Sequence, residues 1–442
     1  MRRLTLFALL AVLTLSAQNR HIILITIDGG MAANLEDETI PLPNIRSLIR
    51  TGVWADSSES VFPSSTHPSH ATLITGVMPL RHGVLENALF HRATGEVSPP
   101  NSLLHSQVYL VKTIFDAAKA QGLSTAGIFW PESIEDPALD FDLTIRTEGS
   151  SRHLQQNPWM QELRTHGVPV DLLDRIQSGI VSPAAVDLVS TLAACDLIDN
   201  HKPDLIALHL VNPDSEQHQY GPGHANARAA LTEADTQIGA ILAAAKHAGI
   251  LEQTTFIVTA DHGFAAVHYE LNIRPYFAHA GLSGKIRVYG AGWSPFIRLL
   301  PGFEEKTDGP RLRLAFDEML KNPHILRIFY SDQYPTLGLP RYEDSDRIPG
   351  QYLVVADIDT YLVEAQDDSV ALRRRERPAY SHGYLPQYPA MYPMLVLSGN
   401  GVRKGIRIGH VRSIDVAPTI FSLLHLKALP FEGRILSEAL EP

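Results

Sequence analysis

Four runs of apolar, mostly β-branched residues recur along the chain, and polar residues follow closely behind them. The first run, His21–Ile27, leads into Asp28, and the others are Asp204–Leu210, Thr255–Ala260 and Met394–Ser398. Runs of this kind are typical of buried central strands. Helical patterns lie between them, and they predict helices over Pro183–Asn200, Ala225–His247 and Ser413–Leu424. Because strands and helices alternate, the pattern predicts a layered α/β fold.

Residues 264–380 have a different pattern, rich in Pro, Gly and scattered charge. Short strands are predicted at Lys285–Tyr289, Phe296–Leu300 and Tyr352–Ala356, and a helix at Arg311–Lys321. We interpret this stretch as an inserted subdomain that covers the functional site. The core domain then comprises residues 19–263 and is completed by residues 381–442.

The N-terminal residues have the order of a secretory signal peptide, which we assign to residues 1–18. Arg2 and Arg3 precede the apolar stretch Leu4–Leu15, and small residues follow at Ser16 and Ala17. The apolar stretch is short for a membrane span, which needs about 20 residues. We therefore expect a periplasmic or secreted protein without a stable membrane anchor, and a retained N-terminal anchor is the alternative.

Composition narrows the partners that this protein can bind. Hydrophobic residues make up 45% of the 442 residues, enough to bury a sizeable core. Removal of the two signal-peptide arginines leaves 35 basic residues against 48 acidic ones, a net charge of about −13. An acidic surface disfavours nucleic-acid duplexes and anionic membranes. The single cysteine, Cys195, excludes an intrachain disulfide.

The candidate chemistry lies in Asp- and His-rich segments just past the predicted strand ends. These segments are ILITIDGG (Ile23–Gly30), VFPSSTHPSHATLITG (Val61–Gly76), NPDSEQHQYGPGH (Asn212–His224), TADHGF (Thr259–Phe264) and YSHGY (Tyr380–Tyr384). Ligands bind at the carboxyl edge of strands in open α/β sheets. Asp and His suit zinc or a similar divalent ion. Asp214 and His218 are four residues apart, so one helical turn or a compact loop can direct both at one ion.

In this order, the segments resemble those of the alkaline phosphatase superfamily, and within it the nucleotide pyrophosphatase/phosphodiesterase family. The resemblance spans roughly residues 21–425. It rests on the strand before Asp28, PSSTHPSH, Gly83-Val84-Leu85-Glu86-Asn87, Phe129-Trp130-Pro131, the segment Pro213–Pro222, Asp261-His262-Gly263 and His382-Gly383. It implies a three-layer α/β/α sandwich with a largely parallel central sheet, and the inserted subdomain near the active site.

The resemblance also implies roles for individual residues. Thr66 corresponds to the nucleophile, and Asn87 to the residue that binds a phosphoryl oxygen. One zinc ion would be held by Asp214, His218 and His382. The other would be held by Asp28, Thr66, Asp261 and His262. Trp130 and Tyr220 are candidates for lining the substrate pocket, with a packing role as the alternative for both.

Two divalent ions about 4 Å apart can stabilise the entering and leaving oxygens of a phosphoryl transfer. The implied reaction is cleavage of a phosphodiester or pyrophosphate in a small-molecule phosphate ester, through a phosphothreonine on Thr66. We expect His70 to be structural, beneath the nucleophile loop.

The residues beside Thr66 depart from the family pattern. Ser64-Ser65 replaces the usual Thr-Lys, His67 replaces an aromatic residue, and Ser69 replaces Asn. A phosphomonoesterase or phosphonate hydrolase on the same scaffold is therefore the alternative function. The segment Phe129–Ser133 contains no cation to balance a phosphate dianion, which favours a diester. A catalytically silent binding protein is a further alternative, disfavoured because the nucleophile and all six protein ligands are present.

Overall fold

The computed structural model describes residues 21–99, 102–144, 157–178, 181–290, 292, 294–363, 372–427 and 429–442. The predicted signal peptide, residues 1–18, lies outside these ranges. Within them, no helix combines the length and the apolar character needed to cross a bilayer.

Strands and helices alternate over the first part of the core, as the sequence predicts. The described strands, β1 to β19 in chain order, are His21–Ile27, Gly52–Ala55, Ser58–Glu59, Leu89–His91, Glu96–Ser98, Thr125–Ile128, Phe141–Leu143, Leu205–Leu210, Thr254–Thr259, Ala265–Asn272, Ile286–Tyr289, Phe296–Leu299, Ile325–Tyr330, Tyr352–Ala356, Thr360–Val363, Leu372–Ser381, Leu395–Gly399, Ile406–Ile408 and Val411–Arg412. The described α-helices are Ala32–Glu36, Pro43–Thr51, Thr66–Thr75, Pro79–His82, His105–Val108, Ile114–Ala120, Pro158–Thr165, Pro183–Asn200, Asn212–Tyr220, Ala225–His247, Arg274–His279, Asp308–Met319 and Val416–Leu423.

Eight strands form the central sheet, in the order β18-β2-β17-β9-β1-β8-β6-β7. The pairings from β9 through β1, β8 and β6 to β7 are all parallel. β17 differs, because it runs antiparallel between β9 and β2. The first residue of β17, Leu395, pairs with Thr259, the last residue of β9. The chain returns from residues 264–380 at the edge where β9 ends, so it re-enters the sheet in the opposite direction.

Side chains of β1 alternate between two cores, one on each face of the sheet. Ile23, Ile25 and Ile27 pack with helices Pro183–Asn200 and Ala225–His247. Ile22 and Leu24 pack on the other face with the helices that begin at residues 66, 114 and 416. All the residues of β1 are buried, as expected for a strand with helices on both sides. The predicted α/β/α sandwich is confirmed.

The stretch between β9 and β17 contains smaller sheets. Four antiparallel strands, β11-β12-β14-β13, pack with the helices Arg274–His279 and Asp308–Met319 around their own apolar core. A second sheet, β15-β10-β16, leads the chain back to His382. The Arg347 guanidinium joins this stretch to the core domain, since it donates hydrogen bonds to the Gly83 and Val108 carbonyls at 2.8 and 2.6 Å. The boundaries 264–380 of an inserted subdomain stay a prediction.

One buried carboxylate fixes the turn between β8 and the helix Asn212–Tyr220. Asp187, which is 1% exposed, accepts hydrogen bonds from the backbone N–H groups of Val211 and Asn212 at 2.7 and 2.9 Å. These N–H groups lie at the start of the helix, where intrahelical acceptors are missing. Asp187 therefore determines where the side chains of that helix are placed.

We predict that Asp187→Ala lowers the free energy of unfolding by about 1–3 kcal/mol, because two backbone N–H groups lose their acceptor. Urea denaturation monitored by circular dichroism measures this loss. Asp187→Asn keeps one acceptor oxygen and should lose less.

The matched control is Asp199→Ala, on the same helix as Asp187. Asp199 forms an exposed pair with His247 at 2.9 Å, and such pairs contribute at most about 1 kcal/mol. Equal losses for the alanine variants at 187 and 199 would contradict the assigned role of Asp187.

Candidate active site

The sequence-predicted ligands come together beyond the carboxyl ends of β1, β8 and β9. Asp28 follows β1, and the pair Asp261-His262 lies just past β9. Asp214 and His218 lie one turn apart on helix Asn212–Tyr220, which follows β8. His382 follows β16, so the late His-Gly segment reaches the same edge only through the smaller sheets.

These residues form two neighbouring groups with the spacing of metal ligands. In one group, the Nε2 atom of His262 lies 3.4 Å from the Asp28 carboxylate and 3.3 Å from that of Asp261. In the other, an Asp214 oxygen lies 3.4 Å from the His218 Nε2 atom and 3.7 Å from that of His382. Each group of three can hold one ion.

The rings of His262 and His382 bring the two groups into contact. Their centroids are 3.6 Å apart and their planes are 12° from parallel. Burial and the neighbouring His262 hold the pKa of His382 well below its usual value, and burial does the same for His262. Both rings are therefore neutral at physiological pH, which is the form that binds metal.

The three predicted histidine ligands are oriented in the same way. The Nδ1 atoms of His218, His262 and His382 bond to the carbonyl oxygens of Tyr380, Gly263 and Ser64 at 2.9, 3.2 and 3.1 Å. A carbonyl oxygen only accepts, so each Nδ1 carries the proton and each Nε2 presents a lone pair. Backbone carbonyls commonly orient metal-bound histidines in this manner.

The lone pairs of these rings face carboxylate oxygens that are also acceptors. The nearest oxygens, Asp28 Oδ1, Asp214 Oδ1 and Asp261 Oδ2, are buried and have no hydrogen-bond partner among the described residues. Burial, and after it the Asp261 charge, holds the pKa of both Asp28 and Asp214 well above the usual range. A divalent cation, or a proton held by the carboxyl group, satisfies acceptors that face each other. The donor set fits divalent ions such as zinc, and the ligand set Asp28, Asp261, His262 with Asp214, His218, His382 stays a prediction.

Thr66 lies beside the first group, at the first residue of helix Thr66–Thr75. Its Oγ1 atom is 3.4 Å from the Nε2 atom of His262. The start of a helix carries a partial positive charge, which attracts an anionic phosphoryl group. Thr66 is thus placed where a nucleophile and a bound phosphate can meet.

Asn87 is fixed against the residue that follows Thr66. Its side-chain oxygen accepts a hydrogen bond from the His67 backbone N–H at 2.9 Å. Because an N–H group requires an acceptor, this bond identifies the oxygen, and the NH₂ group of Asn87 points elsewhere as a donor. This orientation suits the predicted role of binding a phosphoryl oxygen.

The remaining sequence candidates differ in their placement. His70 is buried beneath the nucleophile, where its Nδ1 atom bonds to the Thr66 carbonyl at 2.8 Å and its Nε2 atom to the Thr26 hydroxyl at 2.9 Å. Trp130 is 1% exposed and packs edge-on against His70. Tyr220 stacks on His224.

A cavity of about 250 Å³ opens beside the nucleophile. It is lined by Asp28, Thr66, His67, Phe129, Trp130, Pro131, Thr144, His209, Val211, Asp214 and Ser215. Trp130 thus contributes to its wall, whereas Tyr220 does not. The lining includes one residue from each ligand group, Asp28 and Asp214, and an apolar wall formed by the segment Phe129-Trp130-Pro131. The cavity can therefore accept an organic group attached to a phosphate.

Sequence reasoning missed several residues that hold the ligands in place. The His209 ring donates from Nε2 to Asp28 at 3.0 Å, and burial lowers the pKa of His209 to about 3. Ser60 donates to the Asp261 carbonyl at 2.6 Å, and Gln217 to that of Gly29 at 3.0 Å. A histidine inside the apolar run LIALHL was the one visible signal.

Comparison with known proteins agrees with this geometry. Residues 22–385 match the family of type I phosphodiesterases/nucleotide pyrophosphatases. Bis(5′-adenosyl)-triphosphatase of Xenopus laevis is 24% identical over 94% of this chain and 80% of its own length. Venom phosphodiesterase 2 of Crotalus adamanteus is 24% identical over 93% of this chain and 46% of its own.

Solved structures show the same fold. Murine ectonucleotide pyrophosphatase/phosphodiesterase 5, solved as an inactive variant in complex with AMP, superimposes with a TM-score of 0.74 at 18% identity. The match covers 96% of this chain and 100% of the murine one. The family match spans most of the chain, and it is confirmed that this protein, a phosphoric ester hydrolase, belongs to the type I phosphodiesterase/nucleotide pyrophosphatase family.

Proposed function

We propose that this protein cleaves phosphodiester or pyrophosphate bonds in small nucleotide-like substrates, with two zinc ions bound and through a phosphothreonine on Thr66. We further propose that residues 1–18 direct its export to the periplasm or the medium. The observation that carries the catalytic proposal is the pair of residue groups in which histidine lone pairs face carboxylate oxygens that have no hydrogen-bond partner in the described part of the chain.

Two bound ions would neutralise the clustered carboxylates and stabilise negative charge on the entering and leaving oxygens. The residues of the chain supply the rest. The Thr66 hydroxyl lines the cavity. Its oxygen would lose its proton to solvent and form a bond to phosphorus while the opposite bond, to the leaving oxygen, breaks, and the leaving oxygen would take up a proton from solvent. Water then hydrolyses the phosphothreonine and regenerates Thr66.

Negative charge on the non-bridging phosphoryl oxygens would be stabilised by hydrogen-bond donors that are already in place. The Asn87 amide is oriented by the His67 backbone N–H, and the Thr66 backbone N–H lies at the start of helix Thr66–Thr75. Donors fixed before the reaction need no reorganisation as charge develops. Names of the relatives support a nucleotide-like substrate, because two of them are a bis(5′-adenosyl)-triphosphatase and a venom phosphodiesterase.

We predict that the zinc-loaded protein prefers diesters. A comparison of kcat/KM for bis(p-nitrophenyl) phosphate and p-nitrophenyl phosphate measures this, because both release the same chromophore. The diester should be favoured, since the lining of the cavity includes no Lys or Arg among the described residues to balance a dianion. A large preference for the monoester would instead establish the phosphomonoesterase alternative.

We predict that Thr66→Ala lowers kcat by at least about 10³-fold, because the attacking oxygen is removed while the binding residues remain. Thr66→Ser keeps a hydroxyl and should retain measurable turnover. Mass spectrometry of acid-quenched wild-type protein should detect a phosphate on Thr66. Near-normal turnover of zinc-loaded Thr66→Ala would exclude this nucleophile.

We predict that chelation of the metal abolishes turnover and lowers the midpoint of thermal unfolding, and that added Zn²⁺ restores both. An ion at 100 times its Kd stabilises the folded protein by about 2.7 kcal/mol. Asp261→Asn removes one ligand charge and should reduce the shift, whereas Asp357→Asn, in the smaller sheets, should not. Turnover and an unfolding midpoint unchanged by exhaustive chelation would contradict metal dependence.

A further inference from the structure

An unusual glutamate lies behind the substrate cavity. Glu132 follows the segment Phe129-Trp130-Pro131, is 0% exposed, and has a backbone φ of +56°. A non-glycine residue in this left-handed region costs about 1–3 kcal/mol. A buried carboxylate also loses its hydration, which is unfavourable unless it is paired. Two unfavourable features at one residue indicate that its side chain is needed where it lies.

The partner of Glu132 is His67, the residue directly after Thr66. The Glu132 carboxylate bonds to the Nδ1 atom of the His67 ring. The Tyr109 hydroxyl lies beside the same carboxylate. The His105 ring bonds to the Glu132 carbonyl at 3.2 Å, which holds the backbone. The carboxylate therefore fixes the orientation of the His67 ring.

The His67 ring lies in the wall of the cavity that contains Thr66. Its side chain is 15% exposed, and it shares this wall with Phe129 and Thr144. Glu132 occupies Nδ1, and no described residue bonds to Nε2. A ring with one nitrogen fixed from behind and the other available to the cavity is suited to recognition of a ligand.

We propose that His67, oriented by Glu132, determines substrate specificity through a hydrogen bond between its Nε2 atom and a hydroxyl on the group esterified to the phosphate. This inference rests on the proposed phosphodiesterase function. It assigns the substrate class as phosphodiesters in which the group that remains on the phosphate after cleavage carries a hydroxyl, such as a sugar or another polyol.

A hydroxyl is the ligand that fits this ring in either protonation state. When Nδ1–H donates to the carboxylate and the ring is neutral, Nε2 accepts from a hydroxyl hydrogen; when the ring is charged, Nε2 donates to the hydroxyl oxygen. An apolar group would leave Nε2 unpaired inside the cavity. Sites that hydrogen-bond a hydroxyl discriminate strongly against analogues that lack it.

The test uses two diesters that differ only in hydroxyls, 2,3-dihydroxypropyl p-nitrophenyl phosphate and propyl p-nitrophenyl phosphate. Both carry the same charge and release the same leaving group. We predict that kcat/KM of the zinc-loaded wild-type protein favours the dihydroxypropyl ester by about 10-fold or more, as one hydrogen bond allows. In His67→Phe, which has a ring of similar shape without nitrogen, this ratio should fall close to one.

Further variants separate specificity from a purely structural role. His67→Gln retains a hydrogen-bonding group and should restore part of the ratio. Glu132→Gln should lower the ratio less than His67→Phe, and the double variant should be no worse than His67→Phe alone, because both act through one contact. His247→Gln, which alters only an exposed pair with Asp199, should leave the ratio unchanged.

The outcomes distinguish the two proposals. If the wild-type protein hydrolyses neither diester, the phosphodiesterase function itself is wrong. If it hydrolyses both with a ratio near one, or if His67→Phe lowers kcat/KM for both esters equally, the specificity role of His67 is overturned while the phosphodiesterase function stands.

Discussion

The crowding of three carboxylates at one edge of the sheet is the constraint around which this molecule is built. Asp28, Asp214 and Asp261 face imidazole lone pairs at 3.3–3.7 Å, with no hydrogen bond to the facing oxygens among the described residues. Buried carboxylates crowded in this way oppose folding unless they take up protons or a cation. The stability of the surrounding sandwich must therefore exceed what is needed to form a core alone, and β1 with helices on both faces provides it.

The topology explains why ligands far apart in sequence meet at this edge. Parallel strands β1, β8 and β9 all end there, and each delivers one acidic residue within a few positions of its last hydrogen bond. His382 comes from the smaller sheets, which start and finish at that edge. Because the chain returns from the smaller sheets at this edge, β17 runs antiparallel to β9. The same return places His382 at the candidate site.

The sequence predicted the features that depend on local pattern. The helices Pro183–Asn200 and Ala225–His247 and the strand Tyr352–Ala356 lie where periodicity places them. The apolar runs also predicted that the acidic residues lie at the ends of strands. The order of the motifs was recognised from the family resemblance. What could not be predicted depends on contacts between distant segments. Asp187 supports a turn 24 residues later, and nothing in its own helical segment identifies it as the acceptor of those hydrogen bonds.

The Glu132–His67 contact shows the same limit more sharply. His67 was visible as a departure from the family pattern, but nothing in Phe129–Ser133 indicated a left-handed backbone or a buried carboxylate aimed at residue 67. Backbone strain and a desolvated charge arise only once the two segments pack together. The positions of the proposed metal ligands are determined by the ends of the strands, and a change in these residues would remove the proposed metal sites. The loop 129–135, with three non-glycine residues at positive φ, lies behind the ring that faces the cavity. Substrate choice can therefore change in this loop while the edge that carries the proposed metal ligands stays intact. The free energy lost to strain in the loop is the cost of holding the His67 ring in one orientation.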